Sequence, residues 1–165
     1  MKKTFLYTVL ILAFSISAKA QENYYKPKYS TTLKKAKAEK ILWQPSRNHP
    51  VEIAEYWQPR KSDIAKLELN FKKILSITSD SCCGSKAKVE NLDLFVFQYA
   101  SVIYNNKKYI YINTFAIPTP YEINKFYKYW KRNPVIVYDG GKYHWGILFN
   151  IEDLEFEQLA FNGSA

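Results

Sequence analysis

The most reactive side chains in the sequence are two adjacent cysteines, Cys82 and Cys83, in a polar stretch that also contains Gly84. Consecutive Cα atoms in a trans chain are about 3.8 Å apart, below the roughly 4.4–6.8 Å that a disulfide usually spans. A bridge between these two cysteines would therefore be strained and readily reduced, which is typical of a redox switch. The alternative interpretation is an exposed loop whose thiols are free, capped or joined to another chain.

The same thiols could take part in metal binding or nucleophilic catalysis. They offer only two metal ligands, and no histidine follows at a metal-binding spacing, so no metal site is predicted. A thiolate nucleophile needs a base within hydrogen-bond reach. His144 lies in the stretch Y-H-W-G-I of residues 143–147, which is similar to the H-x-G-I strand of papain-like cell-wall amidases. A hydrolase that uses Cys82 or Cys83 with His144 is therefore one hypothesis.

Two features argue against this hydrolase. The amidases place their cysteine at the start of a helix, whose dipole lowers the thiol pKa, whereas Gly84 and then a β-patterned run follow here. No residue is evident that would orient His144, and a lone strand histidine is better explained by structure than by catalysis.

The sequence also lacks the G-x-S-x-G, Walker, G-x-G-x-x-G and H-E-x-x-H signatures. The carboxylates of residues 152–157 lie around a predicted turn and are typical of a solvated edge, because the carboxylate pair of a glycosidase needs a cleft. An enzyme is therefore the less favoured class, and no cofactor is implied.

A ligand-binding face is predicted from two strand patterns, residues 92–104 and 107–117, which flank Asn105-Asn106. Asparagine tolerates the positive φ of a two-residue hairpin turn, so the paired residue numbers should add up to 211. One face of the hairpin then carries core positions, and the other is mixed and tyrosine-rich. Candidate ligand-binding residues on the second face are Gln98, Tyr109, Tyr111 and Asn113. Either this face is open to a sugar or protein partner, or residues 41–57 cover it.

The beginning of the chain predicts export. Residues 1–20 read as a signal peptide with a basic start, an apolar run and an Ala18-Lys19-Ala20 cleavage site. The apolar run is too short to span a bilayer, and no second run of this kind follows it, so no transmembrane segment is expected after cleavage. The formal net charge of the 165 residues is +9, and cleavage before Gln21 removes three lysines and leaves +6. In the periplasm or outside the cell, a basic protein meets anionic glycans and proteins before nucleic acid. An anionic envelope glycan or a protein is therefore the expected partner.

Composition and periodicity predict the elements that hold these residues. The chain is 47% hydrophobic and 24% charged, as in ordinary globular proteins rather than disordered or fibrous ones. Residues 21–40 form a basic flexible leader that is helical from Thr32 onward, and residues 41–165 form a single α+β domain. Apolar residues recur at helical spacing over residues 62–77. A capping box begins a second, shorter helix over residues 119–132.

The fold class follows from the order of these elements. Strands are predicted at residues 92–104, 107–117, 135–138, 142–151 and 154–162, with Asp139-Gly140-Gly141 as a further hairpin turn. Short loops between neighbouring strands imply an antiparallel five-stranded sheet. One long and one short helix are expected to cover one face of this sheet, as in a two-layer cystatin-like or similar fold.

The second predicted helix has two different sides. Four of its residues form an apolar stripe that is expected to be buried: Ile123, Phe126, Tyr127 and Trp130. Four cations form its outer side: Lys125, Lys128, Lys131 and Arg132. Lysines and arginines on an exposed side are suited to anionic groups of a partner.

Several segments carry a resemblance to other proteins. They are Trp57-Gln58-Pro59, Asp63-Ile64, and residues 108–113, 130–141, 143–146 and 161–165. Over residues 57–165 the chain resembles a set of small exported bacterial proteins of uncharacterised function. The resemblance implies an exported single domain, and it supplies no activity, cofactor or site residue.

The sequence therefore favours an exported, soluble, non-enzymatic binding or interaction module whose ligand is an envelope glycan or a protein. The alternatives from other classes are the papain-like Cys/His cell-wall hydrolase and a thiol redox protein.

Overall fold

A computed structural model of the protein describes residues 21–42, 44–48, 52–79, 86–116 and 119–163. The expected signal peptide and both cysteines, Cys82 and Cys83, lie outside these described residues. Within them the fold is α+β, with a mixed six-stranded sheet at its centre. The α+β class expected from the sequence is confirmed. None of the described helices combines the length and apolar character needed to cross a membrane.

In chain order the elements are β1 (Ser30–Thr32), α1 (Lys35–Leu42), β2 (Ile53–Tyr56), α2 (Lys61–Asn70), β3 (Phe95–Tyr104), β4 (Lys107–Ala116), α3 (Pro120–Phe126), β5 (Trp145–Asn150) and β6 (Glu155–Phe161). Short 3-10 helices occur at Phe71–Ser76, Leu92–Leu94 and Gly141–Tyr143. The sheet order is β1-β3-β4-β5-β6. β2 shares the outer edge of β3 with β1, further along that strand.

The central hairpin of β3 and β4 forms in the predicted register. Gln98 pairs with Asn113, so the paired residue numbers add up to 211. Asn105 and Asn106 make the turn with φ angles of 48° and 61°. These left-handed angles are those of a two-residue type I′ turn, and asparagine adopts them more readily than most residues. The hairpin prediction is confirmed.

One face of the sheet packs on α2 and on the 3-10 helix that follows it. α2 begins where the Asp63 carboxylate accepts a hydrogen bond from the Arg60 backbone N–H at 2.8 Å. Leu67, Phe71 and Ile74 are fully buried in the core on this face. Their partners on the sheet include Phe97, Tyr99, Ile110, Ile112, Ile147 and Phe149. The helix predicted over residues 62–77 is thus present, and its last part is 3-10 rather than α.

The opposite face of the sheet is covered by α1 and by the residues around α3. Ile41 of α1 packs in a cluster with Tyr109 of β4. At the other end, Ile123 and Trp130 pack with Phe115. Helices therefore lie on both faces of the sheet, which corrects the expected two-layer arrangement with both helices on one face.

Part of the expected flexible leader belongs to the folded body. β1 pairs in parallel with β3, with Ser30 beside Phe97, and Leu33 is buried. The other described strand pairs are antiparallel, so the sheet is mixed and six-stranded rather than antiparallel and five-stranded. A strand of three residues is too short for a two-residue period to reveal. The cystatin-like arrangement stays a prediction.

Residues 135–138, expected to be a strand, do not enter the sheet. Amide side chains take the backbone groups that a strand ladder would use. The Val135 N–H donates to Gln98 Oε1 at 2.8 Å, and the Val137 N–H donates to Gln44 Oε1 at 3.3 Å. The hydrophobic pattern predicts a strand, because the pattern alone cannot show that side chains take the place of a neighbouring strand. The prediction of a hairpin turn at residues 139–141 is therefore wrong, because no strand precedes it.

The second predicted helix is also shorter than expected. α3 ends at Phe126, and Tyr127 leaves the helical region with φ −127° and ψ 41°. Ile123 and Trp130 are buried as predicted, whereas Phe126 is 62% exposed. Beyond the end of the helix, the 3.6-residue period no longer decides which side chains face the sheet.

Candidate functional site

The four side chains predicted to bind a ligand lie in the interior. Gln98, Tyr109, Tyr111 and Asn113 project from one face of β3 and β4 and are all buried. The chain itself covers this face, which is the arrangement that the sequence left open as the alternative. Ligand binding by these four residues stays a prediction, and it would require the covering segments to move aside.

The covering side chains come from residues that directly follow α1. Arg47 donates from Nε to the Tyr111 hydroxyl at 3.2 Å, and it also donates to Asn113 Oδ1. Gln44 Nε2 donates to the same Asn113 oxygen at 3.3 Å. We call the following residues the buried polar cluster: Gln44, Arg47, Gln98, Tyr111, Asn113 and Asn162.

The buried polar cluster holds the chain that follows α3. Gln98 Nε2 donates to the Trp130 carbonyl at 2.6 Å and to the Asn133 carbonyl at 2.8 Å. Gln98 Oε1 in turn accepts a hydrogen bond from Asn113 Nδ2 at 3.1 Å. Because buried amides are stable only when both their donors and acceptors have partners, this network fixes the backbone around residue 130 from the sheet side.

The two residues that directly follow β6 close the cluster. Asn162 Nδ2 donates to the carbonyls of Val137 and Asp139, each at 2.9 Å. The Gly163 N–H donates to the Ser46 carbonyl at 2.7 Å. The cluster therefore ties together the end of α1, the central hairpin, residues 130–139 and the end of β6.

Burial sets the charge states in and beside this cluster. Desolvation lowers the pKa of the Arg47 guanidinium, and the neighbouring Tyr111 hydroxyl opposes that shift. Arginine nevertheless stays charged in proteins. Burial, with a further contribution from Glu157, raises the pKa of Tyr109 to about 12. Arg47 and Tyr109 therefore keep their charge states near neutral pH, and the hydrogen bonds of the cluster position the surrounding chain segments.

His144 lies directly before β5, against the Gly140 backbone. Both imidazole nitrogens are buried, and no side chain among the described residues is hydrogen bonded to them. Desolvation lowers the pKa of His144; the nearby Gly140 backbone opposes the shift, and Arg47 adds to it. A Cβ at Gly140, where φ is +99°, would lie 2.7 Å from His144 Cε1, so this close approach requires glycine. No described side chain orients the imidazole as a base. Because Cys82 and Cys83 lie outside the described residues, the hydrolase and redox hypotheses stay predictions.

The carboxylates of residues 152–157, predicted to form a solvated edge, lie at the surface of the structure. No group of three or more His, Cys, Asp or Glu residues in the described part of the chain is arranged to hold a metal ion. The carboxylates of residues 152–157 are exposed, and two of them form surface ion pairs. Asp153 lies 2.8 Å from Lys107, and Glu155 lies 2.8 Å from Lys73. The prediction of a solvated edge is confirmed.

Exposed cations and rings concentrate in residues 125–138. This segment contains four cations and no carboxylate. Among the described residues, four of the nine large hydrophobic side chains that are exposed also fall within it. We call the following exposed residues the basic-aromatic surface: Lys125, Phe126, Lys128, Tyr129, Lys131, Arg132, Ile136 and Tyr138.

A shallow groove of about 330 Å³ crosses this surface between residues 125–130 and 133–136. The Lys128 ammonium lies 5.5 Å from the centre of the Tyr129 ring. Tyr129 and Tyr138 are 60% and 79% exposed, so their rings are open to a partner. A lysine beside the face of an aromatic ring offers a positive charge next to a flat apolar surface. The groove can thus hold an anionic group and a ring-shaped apolar face side by side.

Sequence reasoning missed three members of the buried polar cluster: Gln44, Arg47 and Asn162. Gln44 and Arg47 lie in a stretch broken by prolines, where no period shows which side chains point inward. Asn162 ends a predicted strand, a position that is usually exposed. The one available signal was the polar, tyrosine-rich face of the hairpin, because buried polar groups need polar partners.

Comparisons of the chain with protein-family models, with curated proteins and with solved structures find no match. The resemblance to exported bacterial proteins therefore stays a prediction, and the function has to be argued from the geometry.

Proposed function

We propose that this protein is an exported, non-enzymatic binding module whose basic-aromatic surface binds an anionic envelope glycan. The observation that supports this function is the composition of residues 125–138, which combine exposed aromatic rings with four cations and contain no carboxylate. The cations attract the acidic groups of a polysaccharide, and the exposed tyrosine rings offer flat faces to its sugar rings. A patch of this kind is typical of a contact surface.

The surface is prepared for binding before a ligand arrives. Gln98 holds the backbone at Trp130 and Asn133 from the inside, so the neighbouring cations extend from an ordered segment. Less conformational entropy is then lost on binding. Lys131 and Arg132 form no ion pair with a carboxylate among the described residues. Their charges are therefore directed to solvent, where an anion can pair with them.

Binding to immobilised polygalacturonate, with neutral dextran as the reference, tests this proposal. The test variant changes three cations of the surface to glutamine: Lys128, Lys131 and Arg132. The matched control changes three exposed lysines elsewhere to glutamine: Lys34, Lys40 and Lys61. Each exposed charge pair contributes about 0.2–1 kcal/mol, so the test variant should bind about tenfold more weakly than the control. Binding should also weaken as salt is added.

Rings and charges can be separated in the same assay. Tyr129→Ala should weaken binding most visibly at high salt, because stacking is not screened by ions. Equal binding by the test variant and its control would mean that only net charge matters, and the proposal would fail. Binding to anionic phospholipid vesicles but not to the polysaccharide would assign the surface to a membrane instead.

A further variant shows whether glycan binding depends on the residues of the alternative functions, the Cys/His hydrolase and the thiol redox protein. A variant with Cys82→Ser, Cys83→Ser and His144→Gln should bind polygalacturonate like the unchanged protein. Loss of binding in this variant would contradict a surface located at residues 125–138.

A further inference from the structure

A separate cavity lies at the end of the sheet, between residues 86–95 and the 3-10 helix at Gly141–Tyr143. Its volume is about 430 Å³, within the roughly 300–1,000 Å³ typical of small-molecule sites. The buried side chains of Val89, Phe95 and Phe161 contribute to its lining. We call it the lysine-rimmed cavity.

The charge of the cavity lining is unbalanced. Three lysines line it, Lys86, Lys88 and Lys142, against one carboxylate, that of Glu90. None of the three lysines pairs with a carboxylate within the described chain. A concave site whose lining has an excess of one sign of charge raises the local concentration of ions of the opposite sign. The cavity is therefore suited to an anion.

The cavity also has an apolar wall that is left partly open to solvent. Leu94 and Tyr143 line it and are 50% and 55% exposed. A bare inorganic anion would leave these side chains and the buried apolar lining without an apolar partner. A ligand with an apolar body would remove this surface from water, which is favourable in proportion to the area covered.

Both walls of the cavity are fixed by backbone hydrogen bonds. On one side, the Ser79 N–H donates to the Ala87 carbonyl at 2.8 Å, and the Ala87 N–H donates to Ser79 Oγ at 3.0 Å. On the other side, the Gly141 N–H donates to the Gly163 carbonyl at 3.0 Å. The lysines on each side therefore extend from an ordered backbone, which lowers the entropy lost when a ligand binds.

We propose that the lysine-rimmed cavity binds a single-chain amphiphile with an anionic head, the chemistry of a medium-chain fatty acid. The lysines pair with the head, and the chain lies against Leu94 and the buried apolar lining. This site lies outside the basic-aromatic surface, so it is an activity in addition to glycan binding.

Isothermal titration calorimetry with octanoate, decanoate and dodecanoate, each kept below its micelle concentration, tests the proposal on the unchanged protein. Each added methylene should tighten binding about fourfold until the chain fills the cavity. Methyl dodecanoate, which lacks the charge, should bind more weakly than dodecanoate.

Variants locate the site. Lys88→Gln combined with Lys142→Gln should weaken dodecanoate binding about three- to tenfold, because exposed ion pairs contribute modestly. Leu94→Ser, at a half-exposed position, should weaken it about fivefold. The variant with Lys128, Lys131 and Arg132 changed to glutamine should bind dodecanoate normally, so failure of the two proposals can be told apart.

Two outcomes would overturn the cavity proposal: affinity that does not depend on chain length, or equal affinity in the Lys88 and Lys142 double variant. Titration with lysophosphatidylglycerol shows whether the ligand is a free fatty acid or a single-chain phospholipid. Binding of both dodecanoate and lysophosphatidylglycerol supports a site for any anionic single-chain lipid, whereas binding of dodecanoate alone supports a site for fatty acids.

Discussion

Replacement of Gly146 by alanine is a direct test of the buried polar cluster. Gly146 lies in β5, where Arg47 and Tyr111 meet above the strand. A Cβ at this position would lie 2.9 Å from Tyr111 Cζ and 3.0 Å from Arg47 Cζ, and nearer still to the Tyr111 hydroxyl oxygen. Both neighbours are buried and hydrogen bonded to each other, so they cannot simply swing into solvent.

The sign of the effect follows from two opposing contributions. Gly146 pairs with Asn113 and Ala160 within the sheet, a backbone conformation that alanine accepts. Without close neighbours, glycine to alanine would stabilise the protein by about 0.4–1 kcal/mol, because the unfolded chain loses freedom. Overpacking costs about 1–3 kcal/mol, and a weakened bond from Arg47 to Tyr111 costs about 0.5–1.5 kcal/mol. The expected net result is destabilisation by about 2 kcal/mol.

Urea unfolding measures this change as a lower midpoint with an unchanged slope. A double-mutant cycle with Tyr111→Phe provides the control, because removing the hydroxyl relieves the closest contact. The double variant should be more stable than the sum of the single effects predicts, with a coupling of about 1 kcal/mol. A more stable Gly146→Ala variant, or strictly additive effects, would refute the geometry of the cluster.

Three further predictions follow from the structure. Desolvation lowers the folded pKa of His144 from 6.5, so the unfolded chain binds more protons and stability falls as pH drops through that value. Urea midpoints measured from about pH 8 to about pH 5 should therefore fall less steeply for His144→Gln than for a His49→Gln control. Tyr25→Phe removes the 2.8 Å hydrogen bond to Asp93 but keeps the ring, so thermal unfolding should show a loss of about 1 kcal/mol and a clearly larger loss for Tyr25→Ala. Asn106→Val should cost about 1–2 kcal/mol in the same assay because φ is 61°, whereas Asn106→Gly should be nearly neutral; equal effects would contradict the turn.

Local patterns were sufficient for the elements whose conformation is set within the element itself. The β3–β4 hairpin followed from Asn105-Asn106 and the alternation on either side, because the turn fixes the register. The helical stripe that contains Leu67, Phe71 and Ile74 also follows from spacing alone. In both cases the residues that specify the element lie within it.

The site could not be read from the sequence because its residues satisfy partners that are distant in the chain. Arg47 donates to Asn113 in β4 and to Asn162 directly after β6, and both lie far from it along the chain. Residues 135–138 have the hydrophobic pattern of a strand, but Gln44 and Gln98 take their backbone groups. The sequence has no periodic pattern that shows which isolated glutamine or arginine will be buried. The burial of these side chains determines both where the cluster forms and where the loop that it holds lies.

The buried polar cluster and the basic-aromatic surface act on the same segment of chain. Lys128, Lys131 and Arg132 lie close together in the segment 125–138, and repulsion among their charges favours conformations in which the segment spreads into solvent. Beyond α3 the segment has little regular structure, so tertiary contacts such as those from Gln98 to Trp130 and Asn133 must hold it. An acidic glycan bound to the basic-aromatic surface would reduce the repulsion among its cations, which the hydrogen bonds from Gln98 oppose. A bound polyanion should therefore stabilise the folded state, since any ligand that binds only the folded chain shifts the unfolding equilibrium.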